Sequence, residues 1–342
     1  MRYRQDKATR KGCLNSPNAQ RIDKDNQASI LYSHKISQGP LPHHADPNYP
    51  PSPSTNPDAD SDHDSDSDSA SDSTPPYTPS ELAAIILDFY TFLTTLHFPA
   101  SGLKRPPPGG WPSLTEDSCA AFKSPLAIEV LRQLPYFDKS TEAYVHYKSR
   151  FVDYLSLAPS YFAGDEDNFI YADEPFESAE GDPVDMRDVI CLACGRESGG
   201  RGYFLDVLRG EVTDDIVRVA TLGAMDVVEF FDKLKGEYKS LKLIPYTGHL
   251  VIEAEEVEDL EGEDVDVGAE VMKRQSEEWW TETDVRWVRG VYRRWGWPDR
   301  FQRAEAEREV HEVMCEMEEA GREGWEMANV DAPEWCAYVD NV

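Results

Sequence analysis

Two cysteines three residues apart carry the strongest chemical promise in this chain: Cys191 and Cys194, within Cys191-Leu192-Ala193-Cys194-Gly195. A Cys-x-x-Cys-Gly turn can fold two thiolates onto one ion, the glycine letting backbone amides face sulfur. Zinc asks for four ligands. The other suitably spaced pair is His311 with Cys315, four residues apart and so on one helix face. The second knuckle of a zinc ribbon is missing. A thioredoxin-type redox pair needs a helix after its second cysteine, where this chain places a glycine-rich turn. In a regular strand, residues 191 and 194 point their sulfurs to opposite faces, and cysteine is a common small core residue. Core cysteines are the expectation. The alternative is a metal site of Cys191, Cys194, His311 and Cys315, or a redox-active Cys191/Cys194 pair.

Other groupings point to less. The run from Gly195 to Gly202 is rich in glycine, but phosphate loops lead from strand into helix and end in Gly-Lys-Ser/Thr. This one leads from strand to strand, as a hairpin connection does. Arg286, Arg289, Arg293, Arg294, Arg300 and Arg303 interleave with Trp287, Tyr292, Trp295, Trp297 and Phe301, a mixture that can mark a nucleic-acid surface. At about 100° per residue, however, the aromatics fall on one arc and the arginines on the other. The arginines are expected to face water or the acidic stretch from Glu253 to Asp284. His97, His146, His249 and His311 lie in no recognisable hydrolase motif, so no catalytic residue is assigned. Asp60, Asp62 and Asp64 have the rhythm of a calcium loop without its glycine or its final glutamate. Ser61, Ser65 and Ser69 each have Asp three residues downstream, which makes them candidate sites for an acid-directed kinase.

The elements that must position these residues follow from composition and period. The chain has 342 residues, 34 Lys+Arg against 65 Asp+Glu, and a formal net charge of −31. Residues 1–80 hold 8 basic and 11 acidic side chains, leaving about −28 for the rest. Such a charge repels phosphate backbones and anionic membranes. No apolar run approaches the roughly 18 residues of a membrane span, and Met1 to Gly12 has no apolar core for a secretory signal. Six scattered cysteines suit a reducing compartment, cytoplasmic or nuclear. Residues 1–78 are read as a disordered tail rich in Pro, Ser and Asp, too poor in apolar surface to offset the entropy of folding.

Order is expected from Thr78-Pro79-Ser80-Glu81, a capping box, into a helix burying Leu82, Ile86, Phe89 and Leu93. Ser124-Pro125 starts a second helix, ended by Pro135. Val189 to Cys194 reads as a central strand, followed by strands at Tyr203–Val207 and Glu211–Val217 and a helix from Asp226 to Leu241. Two further helices, Asp284–Trp295 and Pro298 to about Ala320, flank Gly296-Trp297-Pro298. The expected organisation is a tail at 1–78, an α+β domain at 79–245, an acidic connector at 246–283, a helical appendage at 284–325 and a second tail at 326–342. The fold class is α+β, an antiparallel sheet with flanking helices.

Glu197-Ser198-Gly199-Gly200 with Leu205-Asp206-Val207, the run from Glu229-Phe230-Phe231 to Leu243-Ile244-Pro245, Asp284 to Tyr292, and Gly296-Trp297-Pro298-Asp299 with Phe301 resemble an uncharacterised filamentous-fungal protein family. No activity comes with that likeness. More distantly, residues 81–241 resemble the SUKH superfamily of fungal cell-wall-synthesis regulators and bacterial toxin-immunity proteins. The shared order is helices, a hairpin whose second strand ends in Asp, a turn, a strand and a helix rich in Phe and Leu. The resemblance implies an α+β scaffold that binds proteins without catalysis. Leu134-Pro135-Tyr136 departs from the superfamily pattern, leading into Asp138-Lys139-Ser140 without a Gly-Gly loop, so no binding residues transfer. A non-catalytic adaptor or regulator is therefore expected, with a protein partner, no cofactor, and no nucleic-acid or membrane binding.

Overall fold

The computed structural model describes residues 74–119, 122–141, 143–157, 176–195, 199–245, 251–254, 257–258, 267–274 and 282–320. Ser61, Ser65 and Ser69, and both expected tails apart from residues 74–78, lie outside them. The first helix, α1 (Pro79–Leu96), starts where the sequence places it: Thr78 Oγ1 accepts the Glu81 amide, and Glu81 Oε2 accepts the Thr78 amide at 2.8 Å. Its buried arc includes Tyr90, whose ring packs 4.4 Å from that of Phe151. Two short strands, β1 (Leu103–Lys104) and β2 (Tyr136–Phe137), pair with each other around α2 (Glu116–Cys119) and α3 (Pro125–Gln133), which Ser124 caps.

A seven-stranded antiparallel sheet supplies the β part of this α+β fold. Its strands are β3 (Tyr144–His146), β4 (Ser149–Phe151), β5 (Val189–Gly195), β6 (Arg201–Asp206), β7 (Glu211–Ile216), β8 (Ala220–Thr221) and β9 (Met225–Asp226). They run in the order β3-β4-β5-β6-β7-β8, and β9 pairs with the first residues of β7. The helix α4 (Val227–Lys239), capped by Asp226, then packs with α1 on one face of the sheet. Phe89 meets Phe231 at 4.8 Å, and Phe230 meets Tyr203 of β6 at 5.0 Å. The opposite face carries a separate small cluster of Phe176, Val189, Cys191, Cys194 and Phe204.

The main core does not end at residue 245. A hairpin of β10 (Leu243–Pro245) and β11 (Val251–Glu253) spans that junction. Beyond it, α5 (Ala269–Arg274), α6 (Glu282–Arg294) and α7 (Arg303–Glu319) add Met272, Val285, Trp287, Val288, Val291, Val310 and Val313 to the cluster that holds Leu82 and Phe89. Trp297 Nε1 donates to Tyr238 O at 3.0 Å, and Tyr292 Oη to Pro245 O at 2.6 Å. The described residues from Pro75 onward belong to one compact unit.

Arg289 departs from the expected solvent face. It is 2% exposed, and its guanidinium donates to Leu241 O, Ala254 O and Val257 O at 2.8–3.1 Å. Those carbonyls belong to chain turning into and out of the hairpin, and they satisfy a charge that burial alone would make very costly. Of the other arginines, Arg286 pairs with Glu282 inside the acidic stretch, whereas Arg294 pairs with Glu309 and Arg303 with Glu307, both outside it.

Candidate functional site

Cys191 and Cys194 share one face of the sheet. Opposite β6, Cys191 faces Phe204 while Ala193 faces Tyr203, so Leu192 is an extra residue and the register shifts. This bulge reverses the alternation after it. Ile190, Leu192 and Ala193 join the main core, whereas Val189, Cys191 and Cys194 join the smaller cluster. The expectation of sulfurs on opposite faces fails for that reason. Cys191 Sγ donates to Ala193 O at 3.2 Å, and Cys194 Sγ to Gly195 O at 3.7 Å. Burial, and then the neighbouring Cys194, push the Cys191 thiol well above the ordinary thiol range.

Lys123 lies beneath the same strand. It is 3% exposed, and its Nζ donates to Met186 O at 3.0 Å and to Val189 O. Burial brings its ammonium down to about 8, against the pull of Cys191, Asp188, Asp185 and Cys119. Lys123 thus ties the loop carrying Met186 to the first residue of β5. Met186 and Val184, half-buried, pack against the cysteine cluster from that loop.

His311 does not join this pair. His311 is exposed on α7, whose buried residues belong to the main core, and the Cys315 side chain lies outside the described set. Among the described residues, no three His, Cys, Asp or Glu side chains form a metal-binding group. Gly195 ends β5 and Gly202 lies within β6, which pair antiparallel, while residues 196–198 between them lie outside the described residues.

A second grouping was not legible in the sequence. His146 and Ser149 face each other across the β3–β4 turn, and Ser149 faces Gly195 of β5. Gly195 must lack a side chain, because a Cβ there would stand 2.5 Å from the Gly200 carbonyl carbon. His146 Nδ1 accepts the Tyr147 amide at 2.9 Å and lies 2.6 Å from Glu253 Oε1 of β11. Arg201 pairs with Asp214 at 2.7 Å, and its guanidinium also approaches Glu253 at 4.0 Å. Burial raises the Asp214 carboxyl, while Arg201 and His146 draw it down.

Serine, histidine and carboxylate in such proximity suggest a nucleophile, but the hydrogen bonds serve another purpose. Ser149 is 0% exposed; its hydroxyl donates to Tyr147 O at 3.1 Å and accepts the Arg201 amide at 2.5 Å. It ties strand to strand, and the ionic partners fasten the β10–β11 hairpin over the sheet end. The signal for this cluster was weak because β3, β4 and β11 are three residues each and Glu253 reads as the start of an acidic run.

At the far side of the sheet, β8 is an edge. Ala220 and Thr221 are exposed, Val219 and Leu222 on either side are 48% and 39% exposed, and Val228 in the first turn of α4 is 38% exposed. Leu222 N donates to Asp214 O, so by strand alternation the Thr221 amide points away from β7. No helix among the described residues is long and apolar enough to cross a membrane. No family model matches this chain, and no curated protein or solved structure matches it significantly.

Proposed function

We propose that this chain is a non-catalytic protein-binding adaptor or regulator, and that it docks an extended segment of its partner along β8. The observation that carries the reading is the uncovered β8 edge, with outward backbone groups and Val219 and Leu222 held in water. Exposed sheet edges are templates for strand addition, and proteins that do not use them protect them with lysine, proline or cover. At residues 219–222 there is neither lysine nor proline, and no described residue covers the edge, although β8 itself is only two residues long. The net charge of −31 selects for a basic segment, drawing it in by long-range attraction and excluding acidic competitors. The likeness to the SUKH superfamily read from the sequence implies the same protein-binding role.

The test is proximity labelling in cells with the full chain and with a Val219→Lys/Leu222→Lys variant. The expected outcome is a set of neighbours enriched by the wild type and lost with the variant, while the melting temperature of the purified proteins agrees within a few degrees. Lysine both repels a basic segment and blunts the edge. An unchanged neighbour set rejects β8 as the docking edge. Substrate turnover by the purified chain rejects the non-catalytic reading.

A further inference from the structure

The chain between β1 and α2 carries the run Lys104-Arg105-Pro106-Pro107-Pro108-Gly109-Gly110-Trp111, anchored at both ends. Lys104 faces Tyr136 in the β1–β2 ladder, and its ammonium binds Asp138 and Asp153 at 2.9 Å. At the other end, the half-buried Trp111 donates its amide to Arg132 O at 2.9 Å and its indole to Leu134 O at 2.8 Å. Between these anchors the Gly110 amide donates to Pro107 O at 2.9 Å, and Arg132 donates to Gly109 O at 2.8 Å. Gly109 has φ of +91°. With proline second in the turn and a positive φ at the third position, the turn is of type II. Such a turn holds Pro108 close to the polyproline II conformation, and Arg105, Pro106 and Pro107 are each pushed there by the proline that follows. Internal packing uses little of the run: Arg105, Pro107, Pro108 and Gly109 are exposed.

We propose that the segment from Arg105 to Pro108 is a ligand for a second protein partner, a small domain that grips Pro107 and Pro108 in a slot between a tyrosine and a tryptophan ring, as WW domains do. Exposed proline rings offer flat apolar surface and no backbone N–H, so stacking on aromatic faces removes them from water without stranding a donor. The anchors hold the segment in its extended shape before any partner arrives, which lowers the ordering cost of binding. Grooves that read two prolines three residues apart are not served here. At that spacing Pro106, Pro107 and Pro108 are followed by Gly109, Gly110 and Trp111. A slot for two consecutive prolines is. Polyproline II repeats every three residues, so Arg105 stands on the same edge as Pro108 and meets an acidic group on the rim of the slot. Arg105 contacts Thr91 Oγ1 at 3.4 Å and has no acidic partner among the described residues. Lys104, already held by Asp138 and Asp153, does not share that role. This surface is separate in sequence from β8, and the inference is independent of what docks there.

The experiment titrates an isotopically labelled WW domain, of the kind that binds arginine-flanked polyproline, with the unlabelled full-length protein and follows the domain by NMR. Signals of the slot tyrosine and tryptophan should shift to saturation at one domain per chain. Pro107→Ala/Pro108→Ala should weaken binding at least tenfold and Arg105→Ala several-fold, with melting temperatures within a few degrees of the wild type. Two controls, Pro50→Ala/Pro51→Ala in the tail and Val219→Lys/Leu222→Lys at β8, should leave the affinity unchanged. A synthetic peptide of residues 103–112, which lacks the anchors, should bind several-fold more weakly than the folded chain. Unmoved slot signals with the wild type, equal affinity in the Pro107/Pro108 variant, loss of binding in either control, or a peptide as tight as the folded chain would each overturn the proposal. The wild-type titration decides the matter even if a loop variant folds poorly.

Discussion

His97 closes α1 with its ring enclosed between Phe98 and Tyr238, stacked on the latter at 5.5 Å, and Arg303 donates to its carbonyl. Both ring nitrogens are buried. Burial, followed by the charge of Arg303, lowers the imidazole to about 3. The unfolded chain takes up that proton near its ordinary value of about 6.5, so between those limits it holds more protons than the folded chain. Stability contributed by neutral His97 is therefore complete above about pH 6.5 and falls as pH drops toward 3, by at most about 1.4 kcal/mol per unit. Urea unfolding of His97→Phe, which keeps the stacking, should show a flatter acid limb than the wild type; parallel limbs would contradict this. Single residues of this kind resist reading from sequence. Arg289 shares its periodicity with solvated arginines, and only the three carbonyls that converge on it reveal its interior place. The Cys191/Cys194 pairing is hidden for a related reason, since a bulge is a property of two strands together.

Elements were legible in proportion to their length and to how much of their pattern is local. The helices α1, α4 and α6 announce themselves through a 3.6-residue apolar period, helped at α1 by a capping box, and β5 and β6 through apolar runs bounded by glycine. The strands β3, β4, β8, β9, β10 and β11 are two or three residues each, too short to show alternation, and they exist because neighbours pair with them. The polar cluster of His146, Arg201, Asp214 and Glu253 was missed for the same reason. Turns are a different case, because their geometry falls on individual residues. Gly296 has φ of +87°, and a Cβ there would stand 2.5 Å from Arg300 O; Gly109, at φ +91°, has nothing within 4 Å. Ala at Gly109 should cost about 1–2 kcal/mol for the left-handed backbone alone. Ala at Gly296 adds a backbone collision and displaces Trp297 from Tyr238 O, so its cost should be at least twice that. Urea midpoints of the two variants measure the difference, and equal midpoints would show that the Gly296 turn can relax.

On the scale of the whole molecule, sequence reading divided what packing joins. A composition shift after Pro245 suggested a connector and an appendage, because acidic runs resemble solvated linkers. Yet the described residues beyond it place Val251, Ile252, Met272, Val285, Trp287 and Val288 in the core built on α1 and α4. Burying a large apolar side chain contributes roughly 1.5–3 kcal/mol, so six such losses approach or exceed the roughly 5–15 kcal/mol by which a domain is stable. Removing the same segment also leaves Tyr238 O without the Trp297 indole and Leu241 O without Arg289. A chain ending at Pro245 should therefore lack a cooperative urea transition and expose its aromatic core to solvent, whereas residues 75–342 should unfold in one step. Circular dichroism and tryptophan fluorescence on the two chains distinguish the cases. A sharp transition in the shorter chain would mean that α6 and α7 are added to an already complete fold, and the hairpin latch of His146 and Glu253 would then close over a surface that is stable without it.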